Sequence, residues 1–487
     1  MKMHKATIWF GFTFALVLCL GLVACELDEV EFTERTDDTN PNSFRVGSIG
    51  NSLTAGFQNG GIREDGQQAS FANLLARAMT GREMQMPLVA EPGIGSASGL
   101  SSLFVEITPS GGVNITRKPL TQAPQAMALN LTYPVPYDNL GVPGATTAQM
   151  LHTIWGDPGG DADWTEGRDA NNALFNLILR NAALPSGSSM VGELEFIHPE
   201  VVTIWTGNNE ILGGSLSGEP VLGVNIVPAS VFEADLIEML DRVAAFDPQI
   251  VAVGNVPPIG AIPYVRLWSV RPPSAVLPTD RWNMEEDHDD NGDPDVIDAD
   301  PVALVLQTAP VTSCIECYDP RTCGEPGQRC LDIPANQTLS VSELALINDT
   351  ITAYNAIIAR EVAARGWAAV DVNTAFLAIP TSAVVGPLNT AFPIGVSSGA
   401  LNINSAFTLD GVHPSERGHA RVANLFLEAI NDNYGMSYPM YDLTDFENYA
   451  GLELVRGAAK AAPGPLRFTA EGLAGLEDMV EMMQGRF

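Results

Sequence analysis

Short apolar runs of strand length alternate with amphipathic stretches of helical length along most of the chain. That alternation restricts the fold more than any other feature. The strand-like runs are Phe44–Ile49, Val201–Thr206, Ile250–Val256 and Trp367–Val372, and helical periodicity marks Phe71–Met79, Ala229–Phe246, about Val341 to Arg365, and Glu416–Ile430. Strands separated by helical crossovers pair in parallel and bury both faces, so an α/β fold with a parallel sheet covered by helices on both sides is predicted. Ser340-Val-Ser-Glu343 has the spacing of a capping box at the start of the long helix. Ligands of such sheets bind beyond the carboxyl ends of the strands.

Two of those strand ends carry reactive or hydrogen-bonding residues. Gly50-Asn51-Ser52-Leu53-Thr54-Ala55-Gly56 follows the first run directly, and a strand that breaks into a tight turn can hold a serine hydroxyl at the carboxyl edge of the sheet. Gly207-Asn208-Asn209-Glu210 ends the second run. Asn139-Leu-Gly-Val-Pro-Gly144-Ala-Thr-Thr lies between them, and Asp410-Gly-Val-His413-Pro-Ser follows far downstream.

A serine hydroxyl is a poor nucleophile at neutral pH, so an imidazole within hydrogen-bond reach must take its proton and later return it to the leaving alcohol. A carboxylate three residues before a histidine can fold back to fix the tautomer and steady the imidazolium. Six histidines occur. His4 lies in the leader, His288 in an acidic loop, and His198 before a strand, at the end of the sheet away from Ser52. His152 suits a surface or partly buried position, and His419 suits helix packing. His413 is left as the base.

The four blocks, in this order, resemble the GDSL or SGNH hydrolase family from about Phe44 to about Asn433. Asn51 stands where the family has aspartate, and Glu210 where it has a second aspartate. The resemblance implies a three-layer α/β/α, flavodoxin-like SGNH fold and a serine ester hydrolase working through an acyl-enzyme without a catalytic cofactor. It implies Ser52 as nucleophile, His413 as base and Asp410 as its partner. The backbone N–H groups of Ser52 and Gly144 and the side-chain amide of Asn209 would form the oxyanion hole. The substrate would be an ester or lipid. Two alternatives share these residues: a carbohydrate O-acetylesterase, and a non-catalytic surface-binding lipoprotein whose hydrolase site has decayed.

The N-terminus, Met1-Lys-Met-His-Lys5 followed by an apolar stretch from Ala6 to Ala24, has the charged and hydrophobic regions of an export signal. It ends in Leu22-Val23-Ala24-Cys25, which resembles a bacterial lipobox and makes Cys25 the acylation candidate. An uncleaved transmembrane anchor is the alternative. The expected organisation is a signal peptide over residues 1–24 and an acidic tether over 25–42. A hydrolase domain over 43–435 and a C-terminal extension over 436–487 follow. The mature protein is then expected outside the cytoplasm, held to a membrane by its lipid, at an outer membrane or cell surface.

The lapse in periodicity between about Pro257 and Leu339 marks a long Cys- and Asp-rich insertion. Cys314, Cys317, Cys323 and Cys330 cluster in it; for an exported chain two local disulfides are expected, with three pairings open, whereas a reducing compartment would favour zinc. In the same insertion Asp287, Asp289, Asn291, Asp293 and Asp298, with Gly292 at the turn, follow the spacing of a calcium loop. A structural calcium and a solvated acidic loop are the two readings. The stretch Pro92–Pro136 could line an acyl-binding cleft or form a surface excursion, and a last helix is expected near Leu473–Met483. With 25 basic against 58 acidic residues and a formal net charge of −33, nucleic acid is excluded as a partner by repulsion from its phosphates.

Overall fold

A five-stranded parallel sheet forms the centre of the molecule. The computed structural model describes residues 44–95, 100–107, 110, 112–120, 127–133, 136–154, 173–179, 188–262, 264, 268–269, 302–305, 338–377, 406–408, 410–446 and 467–468. Residues 1–43, which include Cys25, the stretch Asp287–Asp298, the four clustered cysteines and the stretch 473–483 lie outside the described residues.

In chain order the sheet strands are β1 (Val46–Gly50), β2 (Asn139–Gly141), β3 (Val201–Trp205), β4 (Ile250–Gly254) and β5 (Ala368–Val370). They lie side by side as β5-β4-β3-β1-β2. Every residue of β1, β3 and β4 is buried, as expected for strands covered on both faces, which read as continuous apolar runs rather than alternating ones. The expected parallel α/β fold is thus present, with β2 as an additional edge strand that the apolar runs did not reveal. Its three residues, Asn139, Leu140 and Gly141, are too few and too polar to stand out.

Two groups of helices cover the sheet. Phe71–Thr80 packs with Glu416–Tyr434, while Ala229–Ala245 packs with Thr147–His152, Met190–Ile197 and Val341–Ala364. The three-layer α/β/α arrangement follows. Ser340 caps the 24-residue helix Val341–Ala364: its hydroxyl accepts from the Glu343 N–H, and the Glu343 carboxylate accepts from the Ser340 N–H. Inside the layers Phe71, Trp205 of β3 and Phe426 form a buried aromatic cluster in which Phe71 stacks on Phe426 and meets Trp205 edge-on.

Within Pro92–Pro136, Leu100–Ile107 and Gly112–Pro119 form an antiparallel hairpin, Ile94–Gly95 pairs with Gly61–Ile62, and Arg467–Phe468 pairs parallel with Gly112–Val113. After the last long helix the chain runs back over the core, where Tyr438, Tyr441, Leu443 and Phe446 pack and the Tyr441 hydroxyl donates to the Leu74 carbonyl at 2.7 Å.

The strand order places the reversal of direction between β1 and β3. From β1 the chain moves outward to β2, then crosses back to β3 on the other side. That crevice, beyond the carboxyl ends, is where open α/β sheets bind their ligands, and Ser52 and Asn209 follow β1 and β3 there.

Candidate active site

β1 stops at Gly50 and a four-residue helix, Ser52–Ala55, begins at once. The turn requires glycine: a Cβ at Gly50 would overlap Thr54 Oγ1 and come within 2.7 Å of the Trp205 carbonyl oxygen. Asn51 Oδ1 accepts from the Leu53 N–H at 3.1 Å, the capping bond an aspartate would make. Its Nδ2 has no partner among the described residues. Asparagine therefore keeps the cap and adds a free donor in place of a charge.

His413 and Asp410 sit on a loop closed at its base by the Phe407–Pro414 bridge and by the Thr408 N–H donating to the His413 carbonyl at 2.8 Å. Both side chains are buried, and Asp410 Oδ2 lies 2.9 Å from His413 Nδ1. Oδ1 accepts from the N–H groups of Val412 (3.0 Å) and His413 (2.9 Å) and from Thr408 Oγ1 (2.9 Å). Oδ2 also accepts from the Gly60 N–H at 2.9 Å. Burial alone would raise the Asp410 carboxyl, but the His413 charge and these hydrogen bonds outweigh it and hold the group down at about 2. An ionised carboxylate only accepts, so His413 Nδ1 carries a hydrogen, and in the neutral ring the lone pair is on Nε2. Nε2 is buried with no hydrogen-bond partner among the described residues.

Ser52 and His413 line one cavity. It offers about 60 Å³ to the centre of a water-sized sphere, several times the roughly 10–15 Å³ that one water needs. Its wall is mostly apolar, built from Leu53, Leu212, Ile259, Ile351, Phe376 and Val412 among others. No hydrogen bond joins the two catalytic candidates here; such contacts commonly tighten only when substrate is bound. Phe57 packs on the His413 ring at 4.6 Å between centroids.

Asn209 also lines the cavity, and one of its amide hydrogens is given to the Ala145 carbonyl at 2.9 Å. That bond ties the loop carrying Gly144 to the end of β3. Gly144 itself is not among the residues lining the cavity. Glu210 reinforces the same junction, since its Oε1 accepts from the Thr147 N–H (2.6 Å) and Thr147 Oγ1 (2.5 Å). Burial raises the Glu210 carboxyl and the Thr147 bonds partly offset this.

Of the competing histidines, His152, His198 and His419 fall where the sequence placed them, and His4 and His288 lie outside the described residues. His152 is exposed at a helix end, and His198 precedes β3 in a left-handed conformation. His419 is buried, with Nδ1 accepting from the Phe71 N–H at 3.3 Å, and burial followed by the nearby His413 pushes it down to about 3. It stays neutral and serves packing.

The supporting residues Thr408 and Gly60 escaped the sequence reading. Thr408 carries no recognisable signal. Gly60 does: Asn59-Gly60 is the preferred dipeptide of a two-residue hairpin turn, and here both have positive φ (53° and 67°) between the paired residues Gln58 and Gly61. That turn presents the Gly60 N–H to Asp410. Among the described residues no group of three or more His, Cys, Asp or Glu is placed to hold a metal ion.

The parallel sheet in this order carries a serine after β1, a histidine–carboxylate pair on a late loop and an asparagine after β3. The profile of the GDSL-like lipase/acylhydrolase family matches residues 46–426, and the chain belongs to that family. It is an enzyme of the class that hydrolyses esters. No curated protein matches the chain.

Proposed function

We propose that the protein is a carboxylic-ester hydrolase that works through an acyl-enzyme on Ser52. The observation that carries this reading is the His413 ring, fixed at Nδ1 by Asp410 2.9 Å away and leaving an unpartnered Nε2 at a cavity that Ser52 also lines. His413 Nε2 takes the Ser52 proton as Oγ bonds to the ester carbonyl carbon. The protonated ring then returns it to the departing alkoxide as the carbon–oxygen bond breaks. Water repeats the cycle and releases the acid. During each tetrahedral intermediate the negative oxygen is received by the Ser52 N–H and the free hydrogen of the Asn209 amide, donors worth on the order of 10²–10³ in turnover apiece, and the Gly144 N–H, outside the cavity lining but on the loop that Asn209 holds, is the third donor that the family resemblance implies.

The apolar cavity wall supports an acyl group longer than acetate as the part enclosed. Against a decayed site stands the retention of every polar group needed for acyl transfer. Ser52→Ala should abolish p-nitrophenyl ester turnover and covalent labelling by a fluorophosphonate while the protein unfolds at the same temperature. Unchanged turnover would refute the assignment. The export signal and Cys25 further support a lipid-tethered enzyme outside the cytoplasm, tested by palmitate labelling of the full chain and of Cys25→Ser; equal incorporation in the two removes the anchor.

A further inference from the structure

Three consecutive or near asparagines surround the polar end of the cavity, and they differ in what their side chains already hold. Asn51 uses its oxygen to cap a helix, and Asn209 uses its nitrogen to bind Ala145. Asn208 uses neither atom: Nδ2 and Oδ1 are both buried and both lack a hydrogen-bond partner among the described residues. It lines the same cavity as Ser52 and His413. It also stands at the start of the helix Asn209–Ser217, where an asparagine ordinarily turns its oxygen onto the helix N–H groups. Here the backbone is helical (φ −74°, ψ −44°) and the side chain makes no capping bond. The amide is thus unused by the fold, in a residue that lines the pocket.

Buried polar groups are nearly always hydrogen-bonded, and leaving a donor and an acceptor unmatched against hydrocarbon is costly. The polar residues that line the cavity with it, Asn51, Ser52, Asn209 and His413, make no hydrogen bond to either atom, and the apolar remainder cannot. A ligand group that both donates and accepts from one atom is a hydroxyl. We propose that Asn208 is a specificity-determining residue that receives a free hydroxyl of the substrate, so that the preferred substrates are hydroxylated esters carrying an apolar chain. This rests on the serine-hydrolase reading above. The hydroxyl belongs either to the alcohol part, as in a partial ester of a polyol, or to the acyl part, as in a hydroxy-acid ester.

A plain alkyl ester of the same length would bury the amide unmatched, and sites built to bind a hydroxyl discriminate strongly against analogues lacking it. The test compares kcat/KM for ethyl hexanoate, 2-hydroxyethyl hexanoate and ethyl 3-hydroxyhexanoate, on the full chain and on Asn208→Leu and Asn208→Ala. Wild type should prefer one hydroxylated ester at least about tenfold over ethyl hexanoate. A preference for the first locates the hydroxyl in the alcohol, a preference for the second in the acyl group. In both variants the ratio should fall to about one, while Asn208→Ser, which keeps a group that donates and accepts, should restore part of it. Equal use of all three esters by wild type, or a preference that survives in the folded Leu and Ala variants, overturns the role of Asn208 alone. A wild type that turns over none of them and takes no fluorophosphonate at Ser52 overturns the hydrolase reading and this inference with it.

Discussion

Replacing Asp410 by asparagine changes little in shape, yet the surrounding donors dictate that it disarms the base. Three donors converge on Oδ1, the N–H groups of Val412 and His413 and the Thr408 hydroxyl, and only an oxygen satisfies them. The introduced amide therefore keeps its oxygen there and turns its nitrogen to the Oδ2 position, facing His413 Nδ1 and the Gly60 N–H, each at 2.9 Å in the wild type. An NH₂ group at that position donates to Nδ1, so the imidazole hydrogen moves to Nε2. The ring then meets Ser52 as a donor and takes no proton from it. Loss of the correct tautomer costs about 10⁴ in turnover in serine hydrolases of this logic. A second effect is structural: the Gly60 N–H now faces a donor, and a buried unmatched group costs about 1–3 kcal/mol. Steady-state hydrolysis of p-nitrophenyl butyrate, with thermal unfolding of the same sample, reads both. The expected result is kcat down by about 10⁴, a lower unfolding temperature and little change in KM, because Asp410 is not part of the cavity wall. A folded Asp410→Asn enzyme within tenfold of wild type would refute the assignment of base and orienting carboxylate.

The remaining predictions concern the supports of the site. Thr408→Val removes the hydroxyl that donates to Asp410 at 2.9 Å; kcat should fall roughly tenfold with stability lower by about 1–2 kcal/mol, and unchanged values in both assays would deny Thr408 a positioning role. Glu210→Ala strands the Thr147 N–H, while the Thr147 hydroxyl keeps Thr206 Oγ1 at 2.7 Å; it should cost about 1–3 kcal/mol in urea unfolding, whereas Glu210→Gln retains an acceptor and should lose much less. Asp235 is raised from 3.8 to about 6, by burial first and then by the charges of Glu210 and Glu238. An acid so raised binds its proton more tightly folded than unfolded, so it weakens the fold as pH climbs from 3.8 to about 6. Asp235→Asn should therefore stabilise at pH 7 by on the order of 1 kcal/mol, after allowance for its partial exposure, with the gain vanishing in melts at more acidic pH than that window; a gain independent of pH would contradict this.

Much of the architecture was legible because the signals were local. The run Ile250–Val256 contains β4 and the periodic stretch Phe71–Met79 matches the helix Phe71–Thr80 almost residue for residue, since continuous burial and one-sided burial leave different periods in the residue order. The Ser340–Glu343 capping box was readable for the same reason. β2 was not legible, because three residues at a sheet edge carry no period. The roles of Thr408, Gly60 and Glu210 were hidden too, as each acts on a residue distant in the chain: Gly60 reaches Asp410 across 350 positions. The Asn59-Gly60 turn could be read, but not what its N–H would meet.

The residue order by itself determined the class of fold, the family blocks and the chemical kinds of the groups at Ser52, Asn209, Asp410 and His413, because period, turn residues and side-chain chemistry are properties of short stretches. Tertiary structure decided which nitrogen of His413 is free, why Asp410 remains charged at full burial, and that Asn208 lines the cavity with its amide unpartnered. Those are matters of dielectric and of hydrogen-bond direction, and both arise only when segments hundreds of residues apart exclude water together.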